Sequence, residues 1–409
     1  MNWLRKNWNG SQCQIGAQGW NVLAGDLPLP LAVIRRDALA HNVGWMQRYA
    51  DAAGVRFAPH GKTTMSPQLL RRQLEAGAWG LTFATVTQMQ AGLAAGARNV
   101  LIANQVLDAA DLGAIAALRD THPEVRVVFL LDSEAQLALI ETVSVDVPFE
   151  VLLEVGVAGG RAGVRTHDAA LALARRARAS DAVTLVGIEC YEGLGNTGRS
   201  EDDRAAADDL MDRVERLARA CDAEGLFGSD EVVVSAGGSG VFDLVVPRLR
   251  VSLSKPVAGL LRSGCYVTHD QGHYQRLVHA VNQRLGCSDA QGLRAALEVW
   301  ALVQSLPEPG LAILALGKRD ISYDLGMPVP LATCARASRE RVAVPQGWSV
   351  QKLNDQHAYL DITSDTHGLR VGDRVCLGIS HPCTTFDKWR WMPIVDDDYT
   401  VVDAIVTCF

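Results

Sequence analysis

From residue 29 onward, short runs of apolar, β-favouring residues recur about every 20 to 35 positions, separated by alanine- and arginine-rich stretches of helical composition. Eight runs read as strands: 31–34, 55–58, 80–85, 99–103, 126–131, 149–155, 183–189 and 231–235. Their near-continuous hydrophobicity predicts burial on both faces, as in a parallel sheet covered by helices. Eight βα units predict a closed (β/α)8 TIM-like barrel. Between the runs, Ser133 opens a helical stretch over 133–141 as its N-cap, and residues 202–220 carry apolar side chains at helical spacing. After about residue 286 the texture changes. Runs at 297–306, 312–316, 341–344, 358–362 and 374–379 read as strands joined by turns, with no long helical pattern between them. The pattern therefore predicts an α/β chain: a barrel over 29–285 and a second, mostly β domain over 286–409. A polar, tryptophan-bearing segment, 1–28, is expected to pack with the β domain.

A length of 409 residues fits this division, since a barrel takes about 250 and a smaller domain the rest. The net charge of −7 is spread without a basic stripe, which argues against nucleic acid or an anionic membrane as partner and points to a small-molecule substrate. The chain begins without an apolar leader-like run and reaches nowhere the ~18 uninterrupted apolar residues of a membrane span, so a soluble, cytoplasmic protein is expected. Nine cysteines at wide, irregular spacing make no disulfide framework and suit a reducing compartment.

Active sites of βα barrels lie at the C-terminal ends of the strands, so the residues following each run are candidates. They are His60 and Lys62, Asn104, Arg161, Tyr191, and the turn Gly237-Gly238-Ser239-Gly240. A lysine at a strand end can have its pKa depressed toward Schiff-base chemistry; the competing reading is a solvated loop lysine. Glycines in the turn let backbone N–H groups approach an anion, and barrels often bind phosphate after their last two strands; many such turns are only turns. A lysine and a phosphate anchor facing one barrel mouth suit pyridoxal phosphate. His381 and Cys383 stand two apart, so in extended chain both face one way and could ligate one ion, although such pairs also arise by chance. Imidazole plus thiolate favours Zn²⁺, and two protein donors leave roughly half of a tetrahedral shell open for water and substrate.

The stretch Phe57-Ala58-Pro59-His60-Gly61-Lys62-Thr63-Thr64-Met65-Ser66-Pro67 resembles the Schiff-base segment of the D-serine dehydratase and D-threonine aldolase family, pyridoxal-phosphate enzymes of the alanine-racemase-like fold. Residues 160–164, 187–193 around Tyr191, the 237–240 turn, Leu261-Arg262-Ser263-Gly264-Cys265-Tyr266-Val267 and His381-Pro382-Cys383 carry the same resemblance. It implies that Lys62 holds the cofactor aldehyde, that Arg161 contacts the phenolic oxygen of the cofactor ring, and that Tyr191 lies near the ring nitrogen. Gly238, Ser239 and Tyr266 would bind its phosphate. His381 and Cys383 would hold Zn²⁺, with His357 as an outer or active-site group, and the assembly would be a head-to-tail homodimer. The dehydratase branch is similar in its His and Cys pair, whereas the aldolase branch resembles it with a carboxylate in the second place. The implied activity is a PLP- and zinc-dependent dehydratase that takes D-serine or a related D-3-hydroxy amino acid to a 2-keto acid and ammonia. Its rivals are a retro-aldol enzyme acting on D-threonine or 3-hydroxy-D-aspartate, an amino-acid racemase, and a non-catalytic PLP-binding protein. Residue by residue the plainer alternatives are a loop salt bridge for Arg161, core-edge tyrosines with satisfied hydroxyls at 191 and 266, and a surface histidine at 357.

Overall fold

The computed structural model describes residues 12–193, 195–362 and 368–409; residues 1–11 of the expected N-terminal segment lie outside them. Chain order begins with β1 (Leu31–Arg35), followed by β2 (Arg56–Phe57), β3 (Leu81–Phe83), β4 (Asn99–Gln105) and β5 (Arg126–Leu131). Then come β6 (Phe149–Val155), β7 (Val183–Cys190), β8 (Val232–Ala236) and β9 (Val257–Leu261). Strands β2 to β9 form one all-parallel sheet in the order β2-β9-β8-β7-β6-β5-β4-β3. Its two ends meet at a parallel bridge between His60 and Thr82, with the Thr82 hydroxyl donating to the carbonyl of Ala58 at 2.7 Å. The sheet thus curls into the expected TIM-like barrel. Its helices include α1 (Arg36–Ala53), α2 (Pro67–Glu75), α3 (Val86–Ala95), α4 (Ala109–Thr121), α5 (Glu134–Ile140), α6 (His167–Arg178), α7 (Ser200–Ala223), α8 (Phe242–Val245) and α9 (His273–Leu285). Ser133 caps α5, its hydroxyl accepting from the Gln136 amide at 3.2 Å.

Inside the barrel Ala58, Leu101, Val128, Leu130, Leu152, Val186, Val233 and Leu260 form a separate apolar cluster. Successive side chains alternate across a strand, so the residue two beyond an inward apolar one also faces in. This sets Glu154 above Leu152, and Arg262, just past β9, above Leu260. In β7 the pairing with β6 slips between Leu185 and Gly187, inserting Val186 as a bulge. Val186 and Glu189, three apart, consequently both face the interior.

The second sheet follows the path β13-β12-β16-β10-β1-β17-β18, where β10 is Leu297–Glu308, β11 Leu311–Leu314, β12 Val329–Cys334, β13 Val342–Ala343, β14 Ser349–Leu353, β15 Ala358–Asp361, β16 Arg374–Gly378, β17 Trp391–Val395 and β18 Val401–Val406. Strands β11, β15 and β14 extend it from β10. Two features differ from the sequence pattern. The run at 31–34 is not a barrel strand: β1 pairs antiparallel with β10, Leu31 opposite Trp300, and parallel with β17. The eighth barrel strand is β9, which the pattern omitted. Each has its own cause. As a central strand of a covered sheet, β1 is buried on both faces and looks like a barrel strand, whereas β9 reads Val-Ala-Gly-Leu-Leu and carries little β-branched signal. The second domain also holds β12, β14, β17 and β18, unread because Pro330 and Pro393 interrupt two of them. Within the N-terminal segment the Val22 amide donates to the Tyr399 carbonyl at 3.0 Å and Asn21 bridges to Thr400, which ties this stretch to the β domain. Among the described residues no helix is long and apolar enough to cross a membrane.

Candidate active site and metal centre

All eight barrel strands deliver residues to one cavity at their C-terminal ends. His60 and Lys62 follow β2, and Lys62 sits in a single helical turn, Gly61–Thr63. Ala84, Asn104 and Leu130 continue the wall, Glu154 and Glu189 rise from β6 and β7, and Arg161, Tyr191, Gly237 and Arg262 complete it. Sequence reasoning named Lys62, His60, Asn104, Arg161 and Tyr191 but passed over Glu154, Glu189 and Arg262. The first two were read as strand residues, and Arg262 follows the strand that was missed.

Glu189 and Arg262 form a buried ion pair, and Arg262 also donates to the Cys190 carbonyl at 2.8 Å. Burial lifts the Glu189 carboxyl to about 7, against the pull of Arg262. Burial likewise raises Glu154, which accepts from the Gln105 amide. His60 is pushed well below the ordinary histidine value by burial and then by the Lys62 and Arg262 cations, so its ring is neutral. The Arg161 guanidinium lies 4.8 Å over the ring of Tyr191, a cation–π contact. Burial brings the Tyr191 phenol up to about 12, keeping it protonated.

The glycine turn behaves as an anion nest. Amides of Gly237 and Gly238 both donate to the carboxylate of Glu192, and a Cβ on Gly238 would stand 2.6 Å from that carboxylate. The Ser263 hydroxyl holds the turn by donating to the Gly238 carbonyl at 2.8 Å. Gly238 and Ser239 therefore lie beside the cavity. Tyr266 does not reach it: the ring is buried edge-on to Phe57 and its hydroxyl accepts from Gln73 Nε2 at 2.9 Å. His357 lies in the turn between β14 and β15 and lines no part of the cavity.

The cavity fits a pyridoxal phosphate. His60 Nδ1, Arg262 Nε and Glu189 Oε1 are buried with no hydrogen-bond partner. Buried polar atoms rarely go unpaired, so this unmet capacity suits a polar ring in the cavity. The adjoining turn already engages an anionic oxygen, and Lys62 provides the amine.

His381 and Cys383 do come together, and the structure adds Cys265 from the turn after β9. The donor atoms of the three all lie within 4.8 Å of one another. Cys265 and Cys383 approach to 3.6 Å between sulfurs, and Cys383 Sγ lies 3.4 Å from the hydroxyl of Thr63, the neighbour of Lys62. His381 Nδ1 contacts Asp324 at 2.6 Å and Asp324 accepts from the Thr384 hydroxyl at 2.7 Å, which orients the ring and leaves Nε2 for the cysteines. Burial opposes the His381 cation, but Cys383 and Asp324 outweigh it and raise the group to about 9. The Cys265 hydrogen bond, helped by His381, holds the Cys383 thiol well below its ordinary value. One imidazole oriented by a carboxylate, together with thiolate sulfur, is a donor set that fits zinc.

Known proteins resemble this chain over both domains. Residues 34–250 match the family described as "Alanine racemase, N-terminal domain", and residues 296–395 match "Putative serine dehydratase domain". A 3-hydroxy-D-aspartate aldolase of Paracoccus denitrificans (strain Pd 1222) is 27% identical over 361 residues, covering 85% of this chain and 89% of its own. The crystal structure of a D-threonine aldolase from Filomicrobium marinum superposes with a TM-score of 0.77 at 23% identity, over 95% of this chain and 97% of that one. A D-threo-3-hydroxyaspartate dehydratase from Delftia sp. HT23 superposes with a TM-score of 0.73 at 24% identity, over 95% and 99%. Its solved forms include a variant with one cysteine replaced by alanine, in a metal-free form, and one with a histidine two positions earlier replaced.

Proposed function

The chain belongs to the alanine-racemase-like, fold-type III family of pyridoxal-phosphate enzymes, and on that premise we propose that it is a PLP- and zinc-dependent lyase that eliminates water from a D-3-hydroxy amino acid such as D-serine. The observation that carries the proposal is the His381-x-Cys383 pair, whose cysteine contacts Thr63, the chain neighbour of Lys62. The same His-x-Cys spacing is altered in the variant structures of the hydroxyaspartate dehydratase.

Bound pyridoxal phosphate supplies an electron sink for the pair left when a C–H bond at the substrate α-carbon breaks. Bound Zn²⁺ supplies a Lewis acid for a departing oxygen, which hydroxide needs as a poor leaving group. Lys62 would hold the cofactor aldehyde, and its Nζ, when free, would be the base for the α-proton. His60, neutral beside it, adds no charge to compete for that proton. Arg161, stacked on Tyr191, would be the cation for the cofactor's phenolic oxygen, and Tyr191 would lie near its ring nitrogen. Gly238 and Ser239 would hold its phosphate, in competition with the Glu192 carboxylate for the turn amides. His381 and Cys383 would hold the metal. The hydroxyl would leave as water with the proton that Lys62 took, and hydrolysis of the released enamine would give a 2-keto acid and ammonia. A homodimer is part of the proposal.

A retro-aldol reaction is the second reading, favoured by the aldolase relative that spans 85% of this chain. It would remove the hydroxyl proton instead and give glycine and an aldehyde. One experiment separates the two: keto acid, ammonia, glycine and aldehyde are assayed across D-serine, D-threonine and D-threo-3-hydroxyaspartate, with and without a chelator, with Lys62→Ala as control. Keto acid and ammonia in equal amounts, lost on chelation and in the variant, support the dehydratase. Glycine with aldehyde supports the aldolase, and full activity of Lys62→Ala overturns both.

A further inference from the structure

We propose that Cys265 is a third protein ligand of the zinc ion, so that two thiolates and one imidazole hold it and the ion joins the barrel to the β domain. The inference rests on reading His381 and Cys383 as a metal pair and adds a ligand contributed by the other domain. With Zn–S bonds of about 2.3 Å, two thiolates on one tetrahedral ion stand about 3.8 Å apart. Cys265 and Cys383 are 3.6 Å apart, close to that spacing and far from the ~2.05 Å of a disulfide. Little movement is needed to admit the ion between them.

Cys265 is 7% exposed and fixed in the turn Cys265–Val267 directly after β9, with its sulfur 3.9 Å from the Thr63 hydroxyl. Most buried cysteines pack as small hydrophobes. This one instead faces a thiol, a hydroxyl and the free side of an imidazole whose other nitrogen is engaged by Asp324. Two thiolates also balance the charge of a divalent ion, which matters where net charge is costly to bury. Three protein donors leave one position of a tetrahedral shell, the arrangement of catalytic zinc sites, and a sulfur-rich set disfavours Mg²⁺ and Mn²⁺.

X-ray absorption at the zinc edge on the zinc-loaded holoenzyme tests this, because it counts sulfur neighbours regardless of activity. The expected result is two sulfurs per zinc in the wild type and one in both Cys265→Ser and Cys265→Ala. Competition against a chromophoric chelator should show zinc bound more weakly in these variants, by more than the ~10-fold that loss of an outer partner costs. One sulfur in the wild type, unchanged in the variants, overturns the role of Cys265 and leaves the His381 and Cys383 pair standing. A wild-type protein that retains no zinc after loading overturns the pair itself. The wild-type sulfur count stands even where a Cys265 variant fails to fold.

Discussion

Glu192 occupies the two amides of the turn proposed to take the cofactor phosphate, so at the scale of single residues the proposal makes cofactor entry a competition between two anions for one nest. A carboxylate accepting from backbone amides gains about 1.5–3 kcal/mol per charged hydrogen bond. Glu192→Gln weakens that internal competitor and should tighten pyridoxal phosphate binding to the apoprotein by about tenfold, or 1.4 kcal/mol, measured by absorbance titration. An unchanged or weaker affinity would mean that Glu192 does not guard the turn. Glu189 makes a second prediction. Its folded-state pKa is raised to about 7 by burial, so above the ordinary glutamate value the unfolded chain has released a proton that the folded apoprotein retains. Stability from this group therefore falls as pH climbs from about 4.5 to about 7 and is level outside that window. Melting temperatures of apoprotein and Glu189→Gln across pH 4 to 8 should diverge in favour of the variant within it, and parallel curves would refute the shift.

Among the elements, the close contact of β7 with β8 sets where Glu189 stands. A Cβ at Gly187 would lie 1.9 Å from the Val233 carbonyl oxygen, and the nearest atoms are all Val233 backbone, with no flexible side chain among them to yield. Gly187→Ala should therefore destabilise the protein by about 1–3 kcal/mol or more, read by urea unfolding, and should weaken cofactor binding by moving the end of β7. Helices were legible from local signals, as Ser133 and α5 show, because a cap and a 3.6-residue period are properties of a short stretch. Strand membership was not. Nothing local distinguishes β1 from a barrel strand, since central strands of any covered sheet bury both faces.

The whole molecule presents an apolar rim at the candidate metal centre. Tyr323, Leu325 and Met327 are 41%, 42% and 42% exposed on either side of Asp324, the partner of His381. Exposed apolar groups clustered at a site mark a contact surface, and we expect a homodimer covering this rim. Leu325→Glu should shift the sedimenting species to monomer and lower activity; a wild-type monomer at micromolar concentration would end the expectation. Metal removal is also a whole-molecule perturbation, because Cys265 comes from the barrel and His381 and Cys383 from the β domain. A metal that binds only the folded state raises its stability, and the more so the more tightly it is held, so a third donor from the barrel adds to the effect. Chelation should accordingly lower the melting temperature in the wild type and less so in Cys265→Ser.

The amino-acid pattern alone determined the βα repetition, the change of texture near residue 286, and the candidate lysine, glycine turn and His-x-Cys pair, all of which are encoded by near neighbours in the chain. Tertiary structure decided what depends on distant segments meeting. It assigned β1 to the second sheet, closed the barrel with β9, set Glu189 against Arg262, turned the Tyr266 hydroxyl to Gln73, and brought Cys265 beside a cysteine 118 positions further on. Spacing pointed to His381 and Cys383 as a pair on one extended face, whereas the chain turns helical at Pro382 and Cys383 and brings them together there; it could not show that a third ligand arrives from another domain, because that proximity is fixed only when the two sheets pack.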